Sequence, residues 1–63
     1  MNKMKEHRIS KNMSMKSLSM ETGVSERYLY FIENGEKNPS IHTAKKIANV
    51  LEESIDAIFF STE

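Results

Sequence analysis

The chain has 63 residues, of which 38% are apolar, with nine basic side chains against nine acidic and no cysteine. That length holds one small core and no second one, and the apolar share excludes a disordered polyelectrolyte. Without cysteine, neither disulfides nor thiolate metal sites can reinforce so small a core, which leaves tight helix packing, oligomerisation, or both.

A net charge of zero argues against a nucleic-acid binder, but its distribution argues the other way. Up to Lys46 there are nine basic residues against five acidic, and from Ile47 onward only Glu52, Glu53, Asp56 and Glu63 carry charge. A front half at +4 and a tail at −4 give an asymmetry that can orient the molecule on a polyanion. No apolar run approaches membrane-spanning length, and the first residues lack the apolar core of a signal peptide. The expectation is a soluble, cytoplasmic protein with no membrane partner.

In chain order, Asn2 to about Lys11 reads as a first helix, with Met4, Arg8 and Ile9 recurring and Asn12 as a left-handed cap. Met13 then drops into the core, and Ser14 caps a second helix carrying Leu18 and Thr22 on one face. Gly23 ends that helix through a positive φ, Val24 turns into the crevice, and Ser25 caps the third. Leu29 and Ile32 face inward on the third helix, so Glu26, Arg27, Tyr30, Phe31 and Asn34 share its outer face. Two helices crossing over a short glycine turn make a helix-turn-helix, here at about residues 15–34.

Asn34-Gly35 closes the third helix, and Pro39-Ser40 opens a fourth whose inward stripe is Ile41, Ala44, Ile47, Ala48 and Leu51. Ser54 caps a short fifth helix through Ile55, Ile58 and Phe59. Ile55 and Phe59 are expected in the core, with Phe60 partly interfacial, so Ile55, Phe59 and Phe60 form the candidate dimer seam. Met4, Met13 and Met20 are expected to fill core gaps.

Rival chemistries find little in the sequence. His7 and His42 lie at no metal-ligand spacing, no serine is flanked by the glycines of a nucleophile elbow, and two glycines cannot build a phosphate loop. Glu52 and Glu53 are consecutive and point to different sides of a helix end. The chain reads as a non-enzyme that needs no cofactor and no metal.

The five-helix order, the Gly23-Val24-Ser25 turn, Ile32-Glu33-Asn34-Gly35, and the Asn38-Pro39-Ser40…Thr43-Ala44-Lys45-Lys46-Ile47-Ala48 run together resemble the Cro/CI-type (XRE-like) helix-turn-helix transcriptional regulators. The likeness spans about Lys5 to Phe59. It implies an all-α, compact five-helix, lambda-repressor-like DNA-binding domain filling residues 1–63. It also implies that the third helix enters the major groove, with Glu26, Arg27, Tyr30 and Phe31 reading bases. There Arg27 suits guanine O6 and N7, Glu26 cytosine N4, and Phe31 a thymine methyl.

Ser25, Tyr28, Asn34, Lys37 and Asn38, with Lys16 and the amide of Met15, fall at positions that the resemblance assigns to phosphates. Many relatives carry a bracing glutamine where this chain has Met15, and small alanine where it has Ser19. The resemblance also implies a partly buried ion pair between Arg8 and Glu33. Its functional expectation is a homodimeric repressor on an inverted repeat of double-stranded DNA, needing no small-molecule effector. The rival expectation is a same-fold protein-interaction or antitoxin-like module, favoured by zero net charge, Met15 and the outward aromatics.

Overall fold

Serine begins four of the five helices in the computed structural model, which describes residues 2–60. The helices are α1 (Met4–Ser10), α2 (Met15–Thr22), α3 (Glu26–Glu33), α4 (Ile41–Leu51) and α5 (Ile55–Phe59), and no strand is present among the described residues. The hydroxyl oxygens of Ser14, Ser25, Ser40 and Ser54 accept from the amides of Ser17, Tyr28, Thr43 and Ala57 at 3.0–3.1 Å. Each satisfies an amide that the first helical turn would leave unpaired. The first helix starts differently. Asn2 accepts from the Met4 amide at 3.0 Å and donates to the Ile32 carbonyl at 2.8 Å, fastening the start of α1 to α3.

Four helix ends use a left-handed residue, namely Asn12 (φ 57°), Gly23 (φ 78°), Gly35 (φ 80°) and Glu52 (φ 59°). At three of them the chain folds back through paired amide bonds: Asn12 and Met13 to Ile9 and Arg8, Gly35 and Glu36 to Ile32 and Phe31, Glu52 and Glu53 to Asn49 and Ala48. These paired bonds satisfy carbonyls that the last turn cannot. Glu52 is the exception to residue preference, since it carries a side chain in a conformation that glycine or asparagine enters more readily.

The core joins residues from every helix: Met4, Met15, Leu18, Leu29, Ile32, Ile47, Ala48, Leu51 and Ile58. α2 packs on α3 and α4, while α5 packs on α4 and α1. The result measures 28 × 22 × 18 Å. Met13, Val24, Tyr28, Val50, Ile55 and Phe59 pack around this nucleus while remaining partly exposed. Burying one leucine or isoleucine contributes about 1.5–3 kcal/mol, so each fully buried side chain is a large share of so small a domain's stability.

Three apolar expectations are corrected. Ile41 is 64% exposed, because it stands at the first position of α4 and borders an open groove instead of the core. Met20 is 75% exposed, since it lies two residues from both Leu18 and Thr22, hence on the opposite side of α2. In α5 the fully buried residue is Ile58, with Ile55 and Phe59 flanking it at half burial. Ile9 also faces outward, its neighbour Arg8 taking the inward position.

Candidate nucleic-acid interface

The turn between α2 and α3 is fixed by hydroxyls at both ends. Ser19 donates to the Val24 carbonyl at 2.6 Å, and Thr22 donates to Leu18 at 2.8 Å while accepting from the Val24 amide at 3.2 Å. Val24 is thereby held against the core, and α3 leaves the turn with the Tyr28 amide capped by the Ser25 hydroxyl. Ser19 replaces no packing. Its hydroxyl staples the turn instead, a contact that size alone did not reveal.

On α3, Glu26, Arg27, Tyr30 and Asn34 are exposed, while Leu29 and Ile32 are buried. Phe31 is half-buried at the margin. A shallow cleft of about 250 Å³ is lined by Ser25, Arg27, Tyr28, Phe31 and Lys37. The Arg27 guanidinium lies 5.7 Å from the Phe31 ring centroid and the Lys37 ammonium 6.0 Å from it. Tyr28 backs the cleft, its side chain packed against the core.

The remaining phosphate candidates are dispersed. Lys16 is exposed on the first turn of α2, whereas the Met15 side chain is buried in the core. Asn38 is exposed and lines a separate groove of about 440 Å³ with Pro39, Ile41, Ile55, Phe59 and Phe60. Phe60 is 67% exposed there. The joining of Lys37 to Phe31 had no periodic signal, since six residues and a helix end separate them. The glycine at 35, which turns the chain back on itself, is the feature from which it follows.

Behind α3, Arg8 donates through Nε and Nη2 to the two carboxylate oxygens of Glu33 at 3.0 and 3.1 Å, and through Nη1 to the Met13 carbonyl at 2.9 Å. Side-chain exposures of 13% and 6% put this pair at the edge of the core, where a forked two-point contact is both strong and orienting. The hydrogen bond that Arg8 donates to the Glu33 carboxylate holds the guanidinium pKa above its ordinary value, outweighing burial. Glu33 is the last residue of α3, so the pair locks the far end of that helix to α1.

Comparison with known proteins agrees with this geometry. The sequence profile described as helix-turn-helix matches residues 4–58. A protein of Archaeoglobus fulgidus named as an uncharacterized HTH-type transcriptional regulator is 38% identical over 61 residues, covering 97% of this chain and 86% of the relative. A second protein of that organism and name is 33% identical over 57 residues, covering 90% and 81%. With α2, a glycine turn and an outward-facing α3 in place, the chain belongs to the Cro/CI-type (XRE-like) helix-turn-helix family of transcriptional regulators.

Proposed function

We propose that the protein is a sequence-specific, DNA-binding transcriptional repressor that places α3 in the major groove. The observation that carries this reading is the cluster of Arg27 and Lys37 on Phe31, beside the Ser25-capped start of α3. The Lys37 ammonium of this shallow cleft is complementary to a phosphate, and the exposed Arg27 on α3 suits a guanine edge. Glu26, Arg27, Tyr30 and Phe31 then read bases. Ser25, Tyr28, Asn34, Lys37, Asn38, Lys16 and the Met15 amide set the register.

In this reading the molecule acts in the cytoplasm as a homodimer through Ile55, Phe59 and Phe60, since one helix offers few base contacts. Two α3 helices then reach successive major grooves about 34 Å apart. Occupying promoter DNA is enough for repression, with neither catalysis nor an effector. A titration of mixed duplex DNA tests the premise. Binding at low salt should fall on a log–log plot with a slope of about −0.9 per phosphate neutralised. If wild-type protein shifts no duplex at low salt, the reading is wrong.

One observation favours the second reading, a protein-interaction module. A groove lined by Ile41, Ile55, Phe59 and Phe60, together with Asn2 and Asn38, offers four apolar side chains that a partner could cover. Sedimentation separates its use from that proposed here. Wild type should sediment as a dimer at micromolar concentration or on DNA, and Phe60→Glu should not; a monomer under both conditions would remove the homodimer.

A further inference from the structure

We propose that Phe31 is a positioning residue whose ring serves Arg27 and Lys37 together, coupling the cation assigned to base edges with the cation assigned to phosphate. The DNA consequence rests on the function proposed above, whereas the shared platform exists in the free protein.

Two separate pieces of local geometry bring the cations to one ring. Arg27 precedes Phe31 by four residues on α3, the spacing at which side chains stack along one helix face. Lys37 arrives from beyond the helix. Gly35, at φ 80°, reverses the chain, and the amides of Glu36 and Lys37 both reach the Phe31 carbonyl, at 2.8 and 3.2 Å. Phe31 therefore fastens the returning loop through its backbone and meets the Lys37 head group through its ring, 6.0 Å from centroid to nitrogen. The Arg27 guanidinium stands 5.7 Å from the same centroid.

Among the described residues, neither cation has a carboxylate within ion-pair distance. The negative face of the ring is what restrains them. Exposed cation–π contacts are worth about two- to fivefold in an equilibrium each. That is too little to build the fold and enough to preorganise two flexible side chains before DNA arrives. Half-burial suits this role, because Phe31 is partly fixed by its surroundings and still lines the same cleft as Arg27 and Lys37. Phe31 thus acts through its neighbours, besides any touch of its own on a thymine methyl.

The test combines a free-protein and a bound-state measurement. In NMR spectra without DNA, the Arg27 δ protons and Lys37 ε protons should lie upfield of their positions in Phe31→Leu, the ring-current mark of a shared aromatic face. On a selected duplex, Phe31→Leu should weaken binding by about four- to twenty-five-fold, two such contacts compounded, and flatten the salt dependence. In a double-mutant cycle Lys37→Ala should lose less in the Phe31→Leu background than in wild type, and Phe31→Tyr should restore both affinity and slope. Circular dichroism and thermal unfolding of each variant establish that it is folded.

Absence of the upfield shifts overturns the platform whatever the DNA result. Shifts present with additive losses, or a Phe31→Leu defect confined to one base position with an unchanged salt slope, overturn the coupling. If wild type binds no duplex while the shifts are present, the failure belongs to the functional reading, and the coupling on DNA falls with it.

Discussion

Arg27 and Gly23 show how differently two exposed residues of one motif carry weight. Arg27 makes its contact with a ring while remaining exposed. If its guanidinium reads guanine, Arg27→Ala should cost about 1–3 kcal/mol on the cognate duplex and relax one base position. Equal losses on cognate and random duplexes would assign the guanidinium to phosphate instead. At Gly23 a methyl group would meet nothing within 4 Å, so space is not the constraint. The constraint is φ 78°. Gly23→Ala should lower stability by about 1–2 kcal/mol, the cost of a left-handed alanine, with Gly23→Asn losing less. Chemical denaturation of the three proteins checks this; an alanine variant as stable as wild type would contradict it.

Among the elements, α3 is held at both ends, by Ser25 and the stapled turn at its start and by the Arg8–Glu33 pair at its finish. Removing one partner of an enclosed ion pair leaves the other charge without compensation. Glu33→Ala should therefore lower stability by about 3 kcal/mol, a large part of what a domain this size possesses. Urea midpoints would show it, and a change under a few tenths would mean that the pair is idle. The α4–α5 corner is held differently, with Lys11 donating to Glu52 at 2.6 Å across exposed surface. That hydrogen bond holds the Glu52 carboxyl below its ordinary 4.5. A folded-state value below the unfolded one stabilises the fold above 4.5 and loses that contribution as pH falls through the folded value. Wild type should accordingly exceed Glu52→Gln in stability at neutral pH, by a margin that salt reduces and acid abolishes. A margin that survives acid would place its origin elsewhere.

These elements were legible in sequence where one residue type has one physical job. Ser14, Ser25, Ser40 and Ser54 marked four helix starts, and Asn12, Gly23 and Gly35 marked ends, since few residues serve there. Glu52 was legible only as a helix end. Its left-handed backbone is imposed by the return of Glu53 to Ala48 and has no signature in residue type. Spacing also misassigned Ile41 and Met20, because periodicity gives a face without saying where the covering neighbour stops. The exposure of Glu26, Arg27, Tyr30 and Asn34 was legible as an outer face on α3, whereas the meeting of Phe31 with Lys37 depends on how the chain leaves that helix.

As a whole molecule, the proposed regulator would present α3 of its five short helices to a duplex and pair through its C-terminal helix. A basic front and an acidic tail on a neutral chain agree with binding DNA through one side only. Modest charge also means that a single protomer neutralises few phosphates, so dimerisation is what would raise affinity to a regulatory range. The most direct measurement is selection of bound duplexes from a random pool, read as a sequence motif. The prediction is an enriched inverted repeat whose half-sites lie about one helical turn, or roughly 34 Å, apart. A pool that returns no motif would contradict sequence-specific recognition, and a motif without two-fold symmetry would contradict the dimer.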